Sequence, residues 1–140
     1  MVVKLVDNED ELKQVFAIRT EVFVDEQGVA VEAELDEHEA SCQHVLVYYE
    51  GVPAGTGRLR IVDERAKLER ICVLAKYRKY GLGKVIVQKL EELAQTGGHK
   101  KLKLHGQTHA EGFYKSLGYL PASDIFMEED IPHLLFLKEI

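Results

Sequence analysis

Tyr77-Arg78-Lys79-Tyr80-Gly81-Leu82-Gly83-Lys84 carries the plainest chemistry in this chain. Gly81 and Gly83 let an anion approach the backbone with no Cβ in the way. Arg78, Lys79 and Lys84 put full positive charges around them. The run follows an apolar segment, Leu68 to Leu74, that reads as a buried strand. It opens a helical pattern with Leu82, Val85, Ile86, Leu90, Leu93 and Ala94 on one face. A helix starting there aims unpaired N–H groups and the positive end of its dipole at one point. Cations at a helix N-terminus oppose that dipole by ~0.3–1 kcal/mol each when exposed. Three together make sense if an anionic ligand offsets the repulsion, and the chemistry is that of a diphosphate site. Solvated lysines beside turn glycines are the plainer alternative, which leaves the charge unexplained. A nucleotide phosphotransferase fits poorly. The P-loop needs Gly-x-x-x-x-Gly-Lys-Ser/Thr, and here Val85 follows the lysine.

Composition sets the frame around that turn. The 140 residues, 46% hydrophobic, are expected to form a single domain spanning 1–140 with a real core. With 24 acidic against 18 basic side chains the formal charge is −6, which argues against a nucleic-acid partner. The basic residues at 76–84 are a local island in an acidic protein, which suits a small anionic ligand. No apolar stretch approaches the roughly 20 residues of a membrane span. Met1 to Asp7 meets acidic residues almost at once and does not read as a signal peptide, so the expected location is cytoplasmic. Cys42, in a polar loop, and Cys72, in a strand, do not resemble a disulfide framework.

The elements that must position the turn follow from periodicity and turn chemistry. Val2 to Val6 reads as a strand, and Asn8 or Asp10 caps a helix through about Phe23. Residues 25–41 read as an acid-rich loop with a short second helix, largely solvated over Glu32 to Glu39. Gln43 to Tyr49 and Pro53 to Val62 are strands joined at Glu50-Gly51, and Lys67 to Leu74 is the next strand. The central helix, Gly81 to Thr96, ends at Gly97-Gly98. Lys101 to His105 is a strand, and His109 to Leu117 is a short helix stopped by Gly118. Strands near Tyr119 and from His133 to Leu137 follow. The unit from 67 to 105 demands parallel neighbours, so the fold class is α/β with a mixed sheet and helices on both faces.

Placed after Ile71-Cys72-Val73, the run Arg78-Lys79-Tyr80-Gly81-Leu82-Gly83 resembles the acyl-CoA motif R/Q-x-x-G-x-G/A of the GNAT N-acetyltransferases. Gly112-Phe113-Tyr114-Lys115-Ser116-Leu117-Gly118-Tyr119 is similar to that family's FYxxxGF segment, and the spacing agrees. Val22 to Gln27 and Ile131-Pro132-His133 resemble the ElaA/YjcF-like branch, so the likeness covers essentially the whole chain. Ala75 departs from the pattern, standing where many relatives place a proline. The resemblance implies the acyl-CoA N-acyltransferase fold, with a strand pair that splays near Val73 and His105. It implies acetyl-CoA as co-substrate and a small-molecule or peptidyl primary amine as acceptor, joined by direct transfer in a ternary complex. The diphosphate would lie on residues 78–84, with Phe113 nearby, and the pantetheine arm along Ile71, Cys72 and Val73. A non-catalytic acyl-CoA sensor of the same fold is the alternative. Monomer and homodimer are both left open.

Acetyl transfer needs a neutral amine, an acid for the departing thiolate and donors for the oxyanion. The resemblance places Tyr114 at the sulfur as general acid, against a reading as a packed aromatic. Glu69, expected to share a strand face with Val73, is the base, directly or through water, or a salt-bridge partner of Arg70 or Lys67, or a contact for the substrate ammonium without proton transfer. His133 is the other candidate base, against a capped surface histidine. Arg19, Glu26 and Gln27 belong to the helix and loop that form one wall of the acceptor cleft in the family, where acids would draw a cationic acceptor. His105 and His109 sit four apart, but Gly106 and the strand-to-helix change spoil a shared face, so no metal is expected. Cys72 reads as a small buried hydrophobe.

Overall fold

In the computed structural model, which describes residues 1–140, the strands gather into one eight-stranded mixed sheet. They are β1 (Val2–Leu5), β2 (Gln43–Tyr49), β3 (Val52–Val62), β4 (Arg65–Val73), β5 (Lys101–Gln107), β6 (Leu120–Pro121), β7 (Phe126–Glu128) and β8 (Ile131–Glu139). The helices are α1 (Glu9–Arg19), α2 (Val31–Glu34), α3 (Leu82–Thr96) and α4 (Glu111–Ser116). Across the sheet the order is β1-β2-β3-β4-β5-β8-β6, with β7 also paired to β8. β4 and β5 run parallel, with α3 as their crossover, and every other pair is antiparallel.

Local chemistry explains most element ends. Asn8 is the cap, its Oδ1 accepting the Glu11 N–H at 2.8 Å. The helical path does not stop at Phe23. It widens after Arg19 and continues to Glu26, where the Gln27 N–H reaches back five residues to the Val22 carbonyl at 3.0 Å. Tight turns with left-handed backbone at both central residues close three hairpins: Glu50-Gly51, Asp63-Glu64 and Glu129-Asp130. That geometry matches the twist of the flanking strands. The last turn creates β7, an element missing from the sequence reading.

Two cores lie on opposite faces of the sheet. α3 buries Leu82, Ile86, Leu90 and Ala94 against Leu59, Leu68, Leu104 and Phe136. α1 and its extension bury Val15, Ile18 and Val22 against Leu46 and Cys72. No helix is long and apolar enough to cross a membrane.

The acid-rich segment does not behave as a solvated loop. Arg19, with 0% of its surface exposed, forks Glu39 at 2.8 and 2.7 Å and bonds Glu34 at 2.7 Å. Arg58, 1% exposed, binds Asp36, Glu39 and Glu69. Arg60 and Lys67 also hold Glu69, and Arg70 reaches Glu34 and Asp36. Glu34, Asp36 and Glu39 are thereby tied to α1 and the sheet, while Glu32 and Glu37 remain exposed. Buried charges persist only when paired and hydrogen-bonded, and here each has several partners.

Burial would raise the pKa of Glu69, but hydrogen bonds from Arg60 and Lys67 and the charges of Lys67 and Arg58 bring it from 4.5 down to about 2. Asp36 and Glu39 are lowered in the same way, burial being outweighed by hydrogen bonds from Arg58 and Arg19 respectively. A carboxylate with a depressed folded-state pKa contributes stability above its unfolded value and loses it as pH falls toward the folded one. Urea unfolding is therefore expected to show stability falling steadily from pH 4.5 to about 2. Glu69→Gln should be less stable at neutral pH and respond less steeply across that window, whereas an unchanged slope would contradict the network's role.

Candidate active site

The site begins where two strands stop pairing. β4 and β5 share three registered pairs, Ala66 with Leu102, Lys67 with Lys103 and Leu68 with Leu104, and then part. Beyond that point β4 stays zipped to β3, but through an irregularity: Glu69 pairs Arg58, and the next pair is Cys72 with Thr56. The extra residue is accommodated at Arg70, whose φ of 54° is left-handed. The bulge reverses the alternation of faces. Leu68 packs in the α3 core, as do Ile71 and Val73 beyond the bulge, whereas Cys72 packs in the α1 core.

This corrects the expected position of Glu69. It lies on the Cys72 face rather than the Val73 face, and the three cations Arg58, Arg60 and Lys67 saturate its carboxylate. Its low pKa makes it a poor proton acceptor. Lys67 is its expected partner at 2.8 Å, and Arg70 is not a partner.

The gap joins two hollows. The larger, about 830 Å³, opens on the α1 face, and the smaller, about 360 Å³, leads to the N-terminus of α3. Ile71, Cys72, Val73, Arg78, Ala110 and Tyr114 line both. Leu74 donates its N–H to the Ala54 carbonyl at 2.8 Å, so by alternation the amide and carbonyl of Val73 face the gap.

At the end of the smaller hollow, Gly81 takes φ 74°, ψ 20°, a left-handed conformation that delivers the chain into α3. No side chain caps α3, and the first intrahelical bond joins the Val85 N–H to the Gly81 carbonyl, leaving the N–H groups of Leu82, Gly83 and Lys84 for a ligand. Gly83 has a steric reason as well: a Cβ there would sit 3.1 Å from the Phe113 ring. Leu82 is buried in the core, and Lys84 lines the hollow without an ion-pair partner. Lys79 is exposed outside it, and the Tyr80 ring stacks on Tyr49 at 4.4 Å. Those two side chains do not form the hollow's wall.

Arg78 is not a free phosphate cation. Its Nε donates to the Val73 carbonyl at 2.9 Å, and its other nitrogens fork Glu26 at 2.6 and 2.7 Å. The fork lowers the pKa of Glu26 and raises that of Arg78. Glu26, expected to meet the acceptor, lines the larger hollow while its carboxylate clamps the helical extension of α1 to the turn after β4. Arg19, expected in the same role, is buried beneath the cleft by Glu34 and Glu39. Gln27 does line the larger hollow and accepts from Gln107 at 2.9 Å, which in turn contacts His109 at 2.6 Å.

Tyr114 sits at the junction. Burial pushes its hydroxyl up to about 12, and the hydroxyl has no hydrogen-bond partner within the protein. Its ring can lie there because Gly106 faces it: a Cβ at 106 would come within 2.8 Å of the Tyr114 and Phe136 rings. His133 bonds the Ile131 carbonyl through Nδ1 at 2.6 Å and stacks on Phe126, leaving Nε2 3.6 Å from Glu128. Glu128 and the steric role of Gly106 escaped the sequence reading. Only recognition of the Glu129-Asp130 turn would have brought Glu128 toward the cleft.

Known proteins resemble this chain in sequence and in fold. Residues 10–119 match the model of the acetyltransferase (GNAT) family. The chain is 52% identical to the uncharacterized protein YyaT of Bacillus subtilis, covering 100% of this chain and 97% of that protein. It is 45% identical to the uncharacterized N-acetyltransferase YjcF of the same species, covering 94% and 95% respectively. Its fold superposes on the crystal structure of Escherichia coli ElaA with a TM-score of 0.87 at 23% identity, covering 99% of this chain and 100% of that one. Family match, splayed strands and glycine turn agree: the chain belongs to the GNAT acetyltransferase family, in the branch that includes YjcF and ElaA.

Proposed function

We propose that this protein moves the acetyl group of acetyl-CoA directly to a primary amine held in the larger hollow. The observation that carries this reading is the β4–β5 gap, which connects an anion-binding helix start to a separate polar cleft with Tyr114 between them. The free amides at the start of α3 and the charge of Lys84 suit the diphosphate of the donor. Val73 offers its N–H along the gap, its carbonyl being held by Arg78 Nε, and the pantetheine arm would lie there as an added strand.

Tyr114 suits the acid role because burial keeps its phenol protonated at neutral pH, ready for a developing thiolate. Direct transfer is favoured over an acetylated enzyme. The Cys72 thiol, beside the gap, is buried and its pKa is pushed far up by desolvation, so it is a poor nucleophile. Glu34, Asp36 and Glu39 are occupied by arginines and do not themselves call for a polycationic acceptor. The acceptor class is a small-molecule or peptidyl amine that reaches the gap from the α1 face.

CoA release in the presence of an amine panel, followed with a thiol reagent, tests the reading. Acetyl-CoA binding with no release over buffer across a broad panel would favour a sensor module instead. Tyr114→Phe is expected to lower kcat by ~10²–10⁴-fold while the acetyl-CoA Kd is kept, since the hydroxyl acts only as the thiolate leaves. Full activity in that variant would remove Tyr114 from the chemistry. Lys84→Ala should raise the KM for acetyl-CoA several-fold with kcat unchanged, because its contact is equal in ground and transition states. Unaltered cofactor affinity would move the diphosphate away from this helix.

A further inference from the structure

The amine must lose a proton on the acceptor side of the gap, and two carboxylates that line the larger hollow are otherwise engaged. Glu69 is held by three cations and Glu26 is forked by Arg78. His109 is exposed and contacts Gln107 through Nε2.

One group is placed differently. Leu104 is the last β5 residue registered with β4, so His105 is the first residue of β5 past the point of parting. Leu104 and Gly106 turn toward the α3 core, which directs His105 to the opposite face and into the larger hollow. Its Nδ1 lies 2.9 Å from Glu128 Oε1. The Phe126 ring meets the imidazole edge-on at 5.1 Å between centroids. A carboxylate can only accept, so Nδ1 carries the hydrogen and Nε2 presents its lone pair. Nε2 has no partner in the protein, and the imidazole side chain is 29% exposed.

We propose that His105 is the general base for the acceptor amine, and that Glu128, carried on the β7–β8 hairpin, is its positioning residue. This rests on the acetyl-transfer reading above. The amine nitrogen attacks the thioester carbon, and His105 Nε2 takes the proton that the nitrogen sheds. The new C–N bond forms and the C–S bond breaks, its electron pair leaving on sulfur, which is protonated by Tyr114. The imidazolium then returns a proton to the phenolate through solvent, so amine and acetyl-CoA become amide and CoA. Glu128 stabilises the imidazolium through the same hydrogen bond that fixes the tautomer. His133 touches the other oxygen of Glu128 at 3.6 Å, but its side chain is only 9% exposed and its Nδ1 is tied to its own strand. The titratable groups beside the His105–Glu128 pair are His133 from β8 and Lys67 from β4.

The test compares wild type, His105→Ala, Glu128→Gln and His133→Gln in thiol-release assays over pH, with acetyl-CoA binding measured separately. His105→Ala should lose ~10²–10⁴-fold in kcat, keep its acetyl-CoA Kd, and recover part of the rate when free imidazole is added. Glu128→Gln should lose less. ¹⁵N spectra should show the Nδ1–H tautomer of His105 in wild type and its loss in Glu128→Gln. Wild-type turnover with His105→Ala within twofold of it, or imidazole rescue confined to His133→Gln, would overturn the assignment alone. Wild type that binds acetyl-CoA yet releases no CoA with any amine would overturn the transfer reading and the base together, even with the tautomer present.

Discussion

The parting of β4 and β5 is the constraint on which the rest depends. A parallel ladder that ends in mid-sheet leaves backbone donors and acceptors needing other partners. The protein meets that need unequally on the two strands. β4 remains paired to β3 through a bulge at Arg70, and β5 remains paired to β8 along its full length. The exposed edges therefore face each other across the gap without destabilising either half of the sheet. The opening also separates two chemical environments: helix amides and a lysine at one end, ion pairs and imidazoles at the other.

The second support is the buried charge network beneath the larger hollow. Arg19, Arg58, Arg60, Lys67 and Arg70 outnumber Glu34, Asp36, Glu39 and Glu69, so no acid in the set is free of a cation. Such networks gain little net stability over apolar packing, but losing one member leaves an uncompensated charge and is costly. Their effect here is geometric. They hold residues 34–39 against the sheet, and that segment becomes a wall of the cleft.

The parts legible in the sequence were those whose signals are local. The amphipathic α3, the glycine turn before it, the Glu50-Gly51 hairpin and the strand–helix–strand crossover were read from neighbouring residues, and the structure has them. The misreadings have a common origin in the absence of a local signal. The bulge at Arg70 sits on a non-glycine residue, so strict alternation carried Glu69 to the wrong face. Asp63-Glu64 and Glu129-Asp130 adopt left-handed turns without glycine, which hid the β7 hairpin and Glu128 with it. Arg19 finds its partners 15 and 20 residues away, and Arg78 finds Glu26 52 residues away. Their conversion from candidate ligand contacts to structural clamps could be seen only once the chain was folded.

Gly83 ties two parts of the molecule that the motifs present as separate. With only 3.1 Å between its missing Cβ and the Phe113 ring, the first turn of α3 rests directly on α4, and Phe113 adjoins Tyr114 in that helix. The anchoring end of the donor site and the phenol at its reactive end thus share a mechanical pivot. Any bulk added at the pivot would tilt the phenol as well as crowd the anchor, so seating of the donor and aim of the acid are set by one contact.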